Sequence, residues 1–224
     1  MSAVDEAVRD VEVCRRAHRR LLARLDDVLA AGSDGGAGRF PIDGPTRLDG
    51  WSRAELVTHL ARNADGHRRI FDAAAVGDVA DQYPGGSQER DGGIAAGRGR
   101  SAAAVVDDLR TATRRLEEAW AATEWNGAGR RGGRSTTPLT DLPFLRLREI
   151  ELHHVDLDVG AEFEDLDPTY VRLESRRLTM RWTARQPMGL TGLPAAVLDL
   201  APHDRLAWLT GRRRVDGLAT PELF

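Results

Sequence analysis

Apolar residues recur at steps of three and four from residue 3 to residue 31. Val4, Val8, Val11, Cys14, His18, Leu21, Leu25 and Val28 mark one seam, which predicts a single long amphipathic helix. The glycine-rich run at 32–38 ends it. Trp51-Ser52-Arg53-Ala54-Glu55 reads as a capping box, with Ser52 as N-cap, Glu55 three residues on and Trp51 as a hydrophobic staple. The helix it opens is predicted to run to about Val76, with Leu56, Val57, Leu60, Ala64, Ile70 and Phe71 inward. Residues 77–100 hold seven glycines and little periodicity, so they predict a long loop of the kind that serves as a lid or binding loop. Ser101 caps a third helix through Ala122. Leu142 to Leu157 form a fourth, behind Asp141 as N-cap, with Pro143 in the first turn and Gly160 as the stop.

Beyond Gly160 the pattern changes. Asp167-Pro168 opens a helix to about Ala184. Apolar pieces over 188–200, divided by Gly and Pro, read as strands. A short helix over Arg205–Thr210 stops at Gly211, and Arg212-Arg213-Arg214 lead into a last strand or tail. The predicted class is α+β, mainly α: a helical bundle over 1–164 and a small α/β domain over 165–224.

Composition narrows the function. Across 224 residues the net charge is −3, which gives no bulk attraction to nucleic acid or anionic membrane. The basic run at 127–137 is too short and too poor in aromatics to argue for nucleic acid. No apolar run is long enough to span a bilayer and no signal-peptide pattern opens the chain, so the cytoplasm is the expected compartment. One cysteine, Cys14, excludes an intrachain disulfide and a multi-cysteine zinc site. All 32 basic residues are arginine, which rules out lysine catalysis.

The fourth helix carries the candidate chemistry. At about 100° per residue Glu149 and His153 share one face, one turn apart. Leu142, Leu145, Ile150, Leu152 and Leu157 fall near that face, while Glu151 and His154 fall opposite and are expected to face water. A buried carboxylate must be paired, neutralised or bound to a metal. A Glu and a His at i and i+4 can supply two metal ligands, or simply form a buried hydrogen bond. His59, at the edge of the second helix's apolar face with Asn63 and His67 beside it, is a partner for the pair.

Three segments, WSRAELVTHLARNADG, LPFLRLREIELHHVDLDVG and RLAWLTGR, resemble in order and spacing the mycothiol-dependent maleylpyruvate isomerase family. The resemblance implies a DinB-like four-helix bundle followed by a small α/β domain. It implies metal ligands at His59, Glu149 and His153, and a functional arginine at Arg212. It implies zinc or another divalent metal, with mycothiol as a low-molecular-weight thiol cofactor. The implied reaction belongs to gentisate breakdown: the thiolate adds to the cis double bond of maleylpyruvate, the bond rotates, and elimination gives fumarylpyruvate. The implied partners are small molecules, not nucleic acid or membrane. Arg146 and Arg148 are alternatives to Arg212 as a carboxylate clamp. A mycothiol S-transferase and a non-catalytic metal-binding bundle are the competing functions.

Overall fold

The computed structural model describes residues 1–33, 41–132, 135–186, 192–221 and 223. They form two compact units, Met1–Gly160 and Ala161–Phe224. The first contains α1 (Ala3–Ser33), α2 (Arg53–Ala74), α3 (Gly86–Ala95), α4 (Ala102–Ala122) and α5 (Leu142–Asp156), with a hairpin of β1 (Ala128–Arg130) and β2 (Thr136–Pro138). The second contains α6 (Pro168–Arg185), α7 (Ala195–Leu198) and α8 (Pro202–Leu209). The chain is mainly helical with one small antiparallel sheet among the described residues.

In the first unit, α1, α2, α4 and α5 make a bundle. α1 lies against α4 and α5, and α2 lies against the same two helices. Leu21, Leu25, Leu56, Leu60, Leu109, Leu116, Phe144 and Leu147 are fully buried. Each such side chain contributes about 1.5–3 kcal/mol of transfer free energy. The α2 cap forms as the sequence predicts: the Ser52 side chain accepts from the Glu55 amide, and the Glu55 carboxylate accepts from Ser52 N–H at 3.1 Å. Ser101 likewise caps α4, accepting from Ala104 N–H. The α1 seam is buried from Val11 to Leu25, but Val4 and Val8 are exposed and Val28 is half-buried.

Four expectations need correction. Asp141 does not cap α5 through its side chain. It sits in a 3-10 turn over Leu139–Asp141, where Leu142 N–H already has the Leu139 carbonyl. The segment 77–100 is not all loop. Its middle is α3, whose glycines hide any helical period. Tertiary contact with α2 holds it in place. Ile94 is buried, the Arg98 guanidinium donates to Glu55 at 2.7 Å, and Gly97 approaches α2 so closely that a Cβ there would lie 2.8 Å from Thr58 Cβ.

Third, the apolar residues Ala195–Leu198 form a short helix, α7, where the sequence pattern predicts a strand. Pro194 precedes α7, and the Arg205 guanidinium donates to the carbonyls of Val197, Leu198 and Leu200 at and just after the end of that short helix. Residues 187–191 lie outside the described residues; no strand occurs in the second unit among those described. That unit is instead organised by α6 against α8, with Trp208 buried and its ring 5.3 Å from Trp182. Fourth, Glu151 and His154 do not face water. Both are buried, because α5 is covered by α1 on one side and α2 on another. Arg20 on α1 meets Glu151 at 2.6 Å.

Candidate metal centre and its cavity

α2 and α5 run in opposite directions, pinned at one end. The Arg53 guanidinium donates to the Leu157 carbonyl at 2.9 Å, and Arg47 N–H donates to the Asp156 carbonyl at 2.8 Å. The start of α2 therefore lies beside the end of α5. That puts His59, two turns into α2, opposite Glu149 and His153.

The three side chains converge. His59 Nε2 is 2.9 Å from Glu149 Oε2, and His153 Nε2 is 3.4 Å from the same oxygen. Their ligand atoms all lie within 4.8 Å of one another. The two imidazoles meet edge to face at 5.2 Å, and Trp51 packs on His59 at 5.8 Å. His153 Nδ1 is 2.8 Å from the buried Asp156 carboxylate. Such a contact fixes the ring and leaves Nε2 for a ligand or metal.

Burial alone would raise the Glu149 carboxyl, but hydrogen bonds from His153 and His59 and their charge hold it well below the usual carboxylate range. Burial likewise opposes charge on His153, yet Asp156 and Glu149 lift its pKa above the ordinary histidine value. His59 keeps a lowered pKa because burial outweighs Glu149. Two imidazole nitrogens and one carboxylate, held on two rigid helices with room beside them, match the donor set of a catalytic zinc with an open fourth position. The buried Nδ1 of His59 has no partner among the described residues.

These residues line a cavity of about 610 Å³. Tyr83, Ser87, Arg90 and Arg131 line it too. The 77–100 segment thus does contribute to the site, through Tyr83 and the first turns of α3.

The other candidates land elsewhere. Arg146 is fully buried and donates to His18 Nε2, the Leu60 carbonyl and Asn63 Oδ1, so it holds the bundle together and cannot clamp a substrate. Cys14 lies 3.7 Å from His18, whose Nδ1 is 2.7 Å from Glu117. This looks like a nucleophilic triad, but Cys14 is fully buried and burial pushes its thiol far up. Arg148 lies over the Phe144 ring at 5.8 Å. Arg212 belongs to the second unit, where its guanidinium donates to the Thr210 carbonyl.

Sequence reasoning passed over Asp156, Tyr83, Arg90 and Arg131. Asp156 left a signal, an acid one turn after His153. The other three sit on α3 or connecting segments, whose placement depends on long-range pairing.

Residues 14–158, more than half of the chain, match the family model described as the mycothiol maleylpyruvate isomerase N-terminal domain. No curated protein sequence matches the chain. Two crystal structures share the fold: the mycothiol-dependent maleylpyruvate isomerase, at TM-score 0.75, and a mutant of it with one histidine replaced by alanine, at TM-score 0.76. Each is 19% identical, and each match covers 95% of this chain and 92% of the other. The family match, over the residues that carry the three converging side chains, makes this chain a member of the mycothiol maleylpyruvate isomerase N-terminal domain family.

Proposed function

We propose that this protein is a mycothiol-dependent isomerase that converts maleylpyruvate to fumarylpyruvate. The observation that carries the reading is the convergence of His59, Glu149 and His153 at a cavity large enough for a small acid and part of a thiol. A divalent metal held by these three residues, zinc by its donor chemistry, would keep the thiol of mycothiol deprotonated, ready to add to the substrate's cis double bond and later leave it.

The chain's own groups do the rest. Glu149 contributes the negative charge of the donor set, and Asp156 keeps His153 oriented with Nε2 forward. Trp51 covers the His59 ring and limits water on that side. Cys14 is sealed in the bundle, so the reacting sulfur must come from outside the chain. Arg212 is the proposed functional arginine of the second unit. Gly211, at φ +75°, turns the chain out of α8 immediately before it. Arg212→Ala is expected to lower activity while leaving zinc content and folding unchanged.

The test is an absorbance assay with maleylpyruvate, run with and without mycothiol and with and without a chelator. Turnover that requires both thiol and metal supports the reading. Conjugation of the thiol to an electrophile, with maleylpyruvate untouched, would favour an S-transferase on the same site. No thiol chemistry on either, with metal bound, would leave a metal-binding module.

A further inference from the structure

The cavity beside the candidate metal centre has a second polar end. Its lining includes Asp81, Gln82, Tyr83, Arg90, Arg131 and Glu149 among its charged or polar groups. Most are accounted for. Arg90 is paired with Asp91 at 2.7 Å and lies over the Trp51 ring. Asp81 lies 3.7 Å from Arg130, and Glu149 meets the two imidazoles. Arg131 differs: its Nε is buried with no hydrogen-bond partner among the described residues, and the acid that acts on its charge is Glu149. The Tyr83 hydroxyl is likewise buried and unpartnered.

The backbone sets these two side by side. Gln82 N–H donates to the Arg130 carbonyl at 2.7 Å, and Arg130 N–H donates to the Ala80 carbonyl at 2.9 Å, so 80–82 runs parallel to β1. Tyr83 and Arg131 are the next residues along these two paired segments. β1 is itself pressed on α2, where a Cβ at Gly129 would lie 2.7 Å from Ile70 Cγ1. The pair is thus held by the sheet against the bundle. Gly86 and Ser87, in the first turn of α3, also line the cavity, and that turn has no side-chain cap. Gly86 N–H donates to the Tyr83 carbonyl at 2.9 Å, which ties the start of α3 to Tyr83.

The Arg131 Nε and the Tyr83 hydroxyl are buried polar atoms with no partner among the described residues, which is costly unless something fills the space between them. Both can donate, so the missing group is an acceptor, and the guanidinium favours an anionic one. We propose that Arg131 and Tyr83 form the carboxylate-binding end of this cavity, and that they hold a small cis-dicarboxylic or 2-oxo acid with its reactive carbon toward His59, Glu149 and His153. A carboxylate suits the site because it accepts two parallel bonds from a guanidinium and a third from the hydroxyl. Burial pushes the Tyr83 phenol up, so it remains a donor at neutral pH.

This assignment rests on the isomerase reading for the identity of the substrate but not for the binding of a carboxylate. The test uses the zinc-loaded full chain. Maleate is titrated calorimetrically into the wild type, Arg131→Gln, Arg131→Lys and Tyr83→Phe, with dimethyl maleate as the uncharged probe. Turnover of maleylpyruvate is measured on the same samples. Arg131→Gln is expected to weaken maleate by about tenfold or more, the loss of a charge-assisted hydrogen bond. Arg131→Lys should recover part of that, Tyr83→Phe should cost less, and zinc content should not change. Dimethyl maleate should not bind. Wild-type maleate affinity in Arg131→Gln, absence of maleate binding to the wild type, or equal binding of the diester would each overturn the proposal. If maleate binds through Arg131 but maleylpyruvate is not turned over, the isomerase reading falls and the carboxylate end stands. If maleylpyruvate is turned over and Arg131→Gln keeps wild-type kcat/KM, the carboxylate end falls and the isomerase reading stands.

Discussion

α5 carries two clusters built from the same side-chain types, and they end in different states. On the interior side, Arg146 reaches His18, which in turn meets Glu117. Both nitrogens of His18 are engaged: Nδ1–H donates to Glu117, and Nε2 accepts from Arg146. On the cavity side, the described contacts of Glu149 are two imidazoles, His59 Nδ1 is unpartnered among the described residues, and open volume adjoins the group. Glu151, two residues from Glu149, has Arg20 against it and does not line that cavity. A buried acid met by a cation inside packed helices is neutralised in place, and taking the cation away is what destabilises the fold. An acid met by bases, beside space, is prepared for a ligand.

Changes on the two sides should therefore separate activity from stability. The largest expected effect is on the cavity side. His59→Ala, Glu149→Ala and His153→Ala should each abolish measurable turnover, a loss above about 100-fold, since removing a ligand exceeds the effect of removing a group that only orients one. Their melting temperatures in the absence of metal should stay near that of the wild type. Asp156→Asn should weaken metal affinity by roughly 10- to 100-fold, because His153 loses the carboxylate that fixes its tautomer. Competition titration against a zinc indicator checks this.

On the interior side, Arg20→Met should cost about 3 kcal/mol of stability by removing the cation from the buried Glu151 carboxylate, with metal content unchanged. Urea unfolding followed by metal analysis measures both. His18 should supply an acid-side loss. Burial chiefly, with Arg146 adding to it and Glu117 opposing, lowers its pKa to about 4. Arg15 and Cys14 also face it. Because the folded value is depressed, the stabilisation is present above about pH 6.5 and is lost as pH falls toward 4, up to about 3 kcal/mol. His18→Gln should flatten that part of the pH–stability curve.

The sequence made one side of this comparison more legible than the other. The Ser52–Glu55 box and the i, i+4 spacing of Glu149 and His153 are local signals, and both are present in the folded chain. The side of α5 that meets water is not a local property. A helical wheel assumes one buried face, but α5 is covered from two directions, so Glu151 and His154 are buried and Glu149 and His153 are part-exposed at the cavity. Arg20, a cation that meets the buried Glu151, is 131 residues away. α3 was hidden for a related reason. Gly86, Gly92 and Gly93 give it almost no amphipathic signature, and contact with α2 supplies what propensity does not. Tyr83 and Arg131 become neighbours only through the pairing of 80–82 with β1.

The central claim is that the cavity side of α5 binds a metal ion and the interior side does not. The most direct measurement is calorimetric titration of zinc into chelator-stripped protein, comparing the wild type, Glu149→Gln and Glu151→Gln. The account predicts one zinc per chain in the wild type and in Glu151→Gln, and loss of that binding in Glu149→Gln. Full-affinity zinc binding by Glu149→Gln, or its loss in a folded Glu151→Gln, would contradict it.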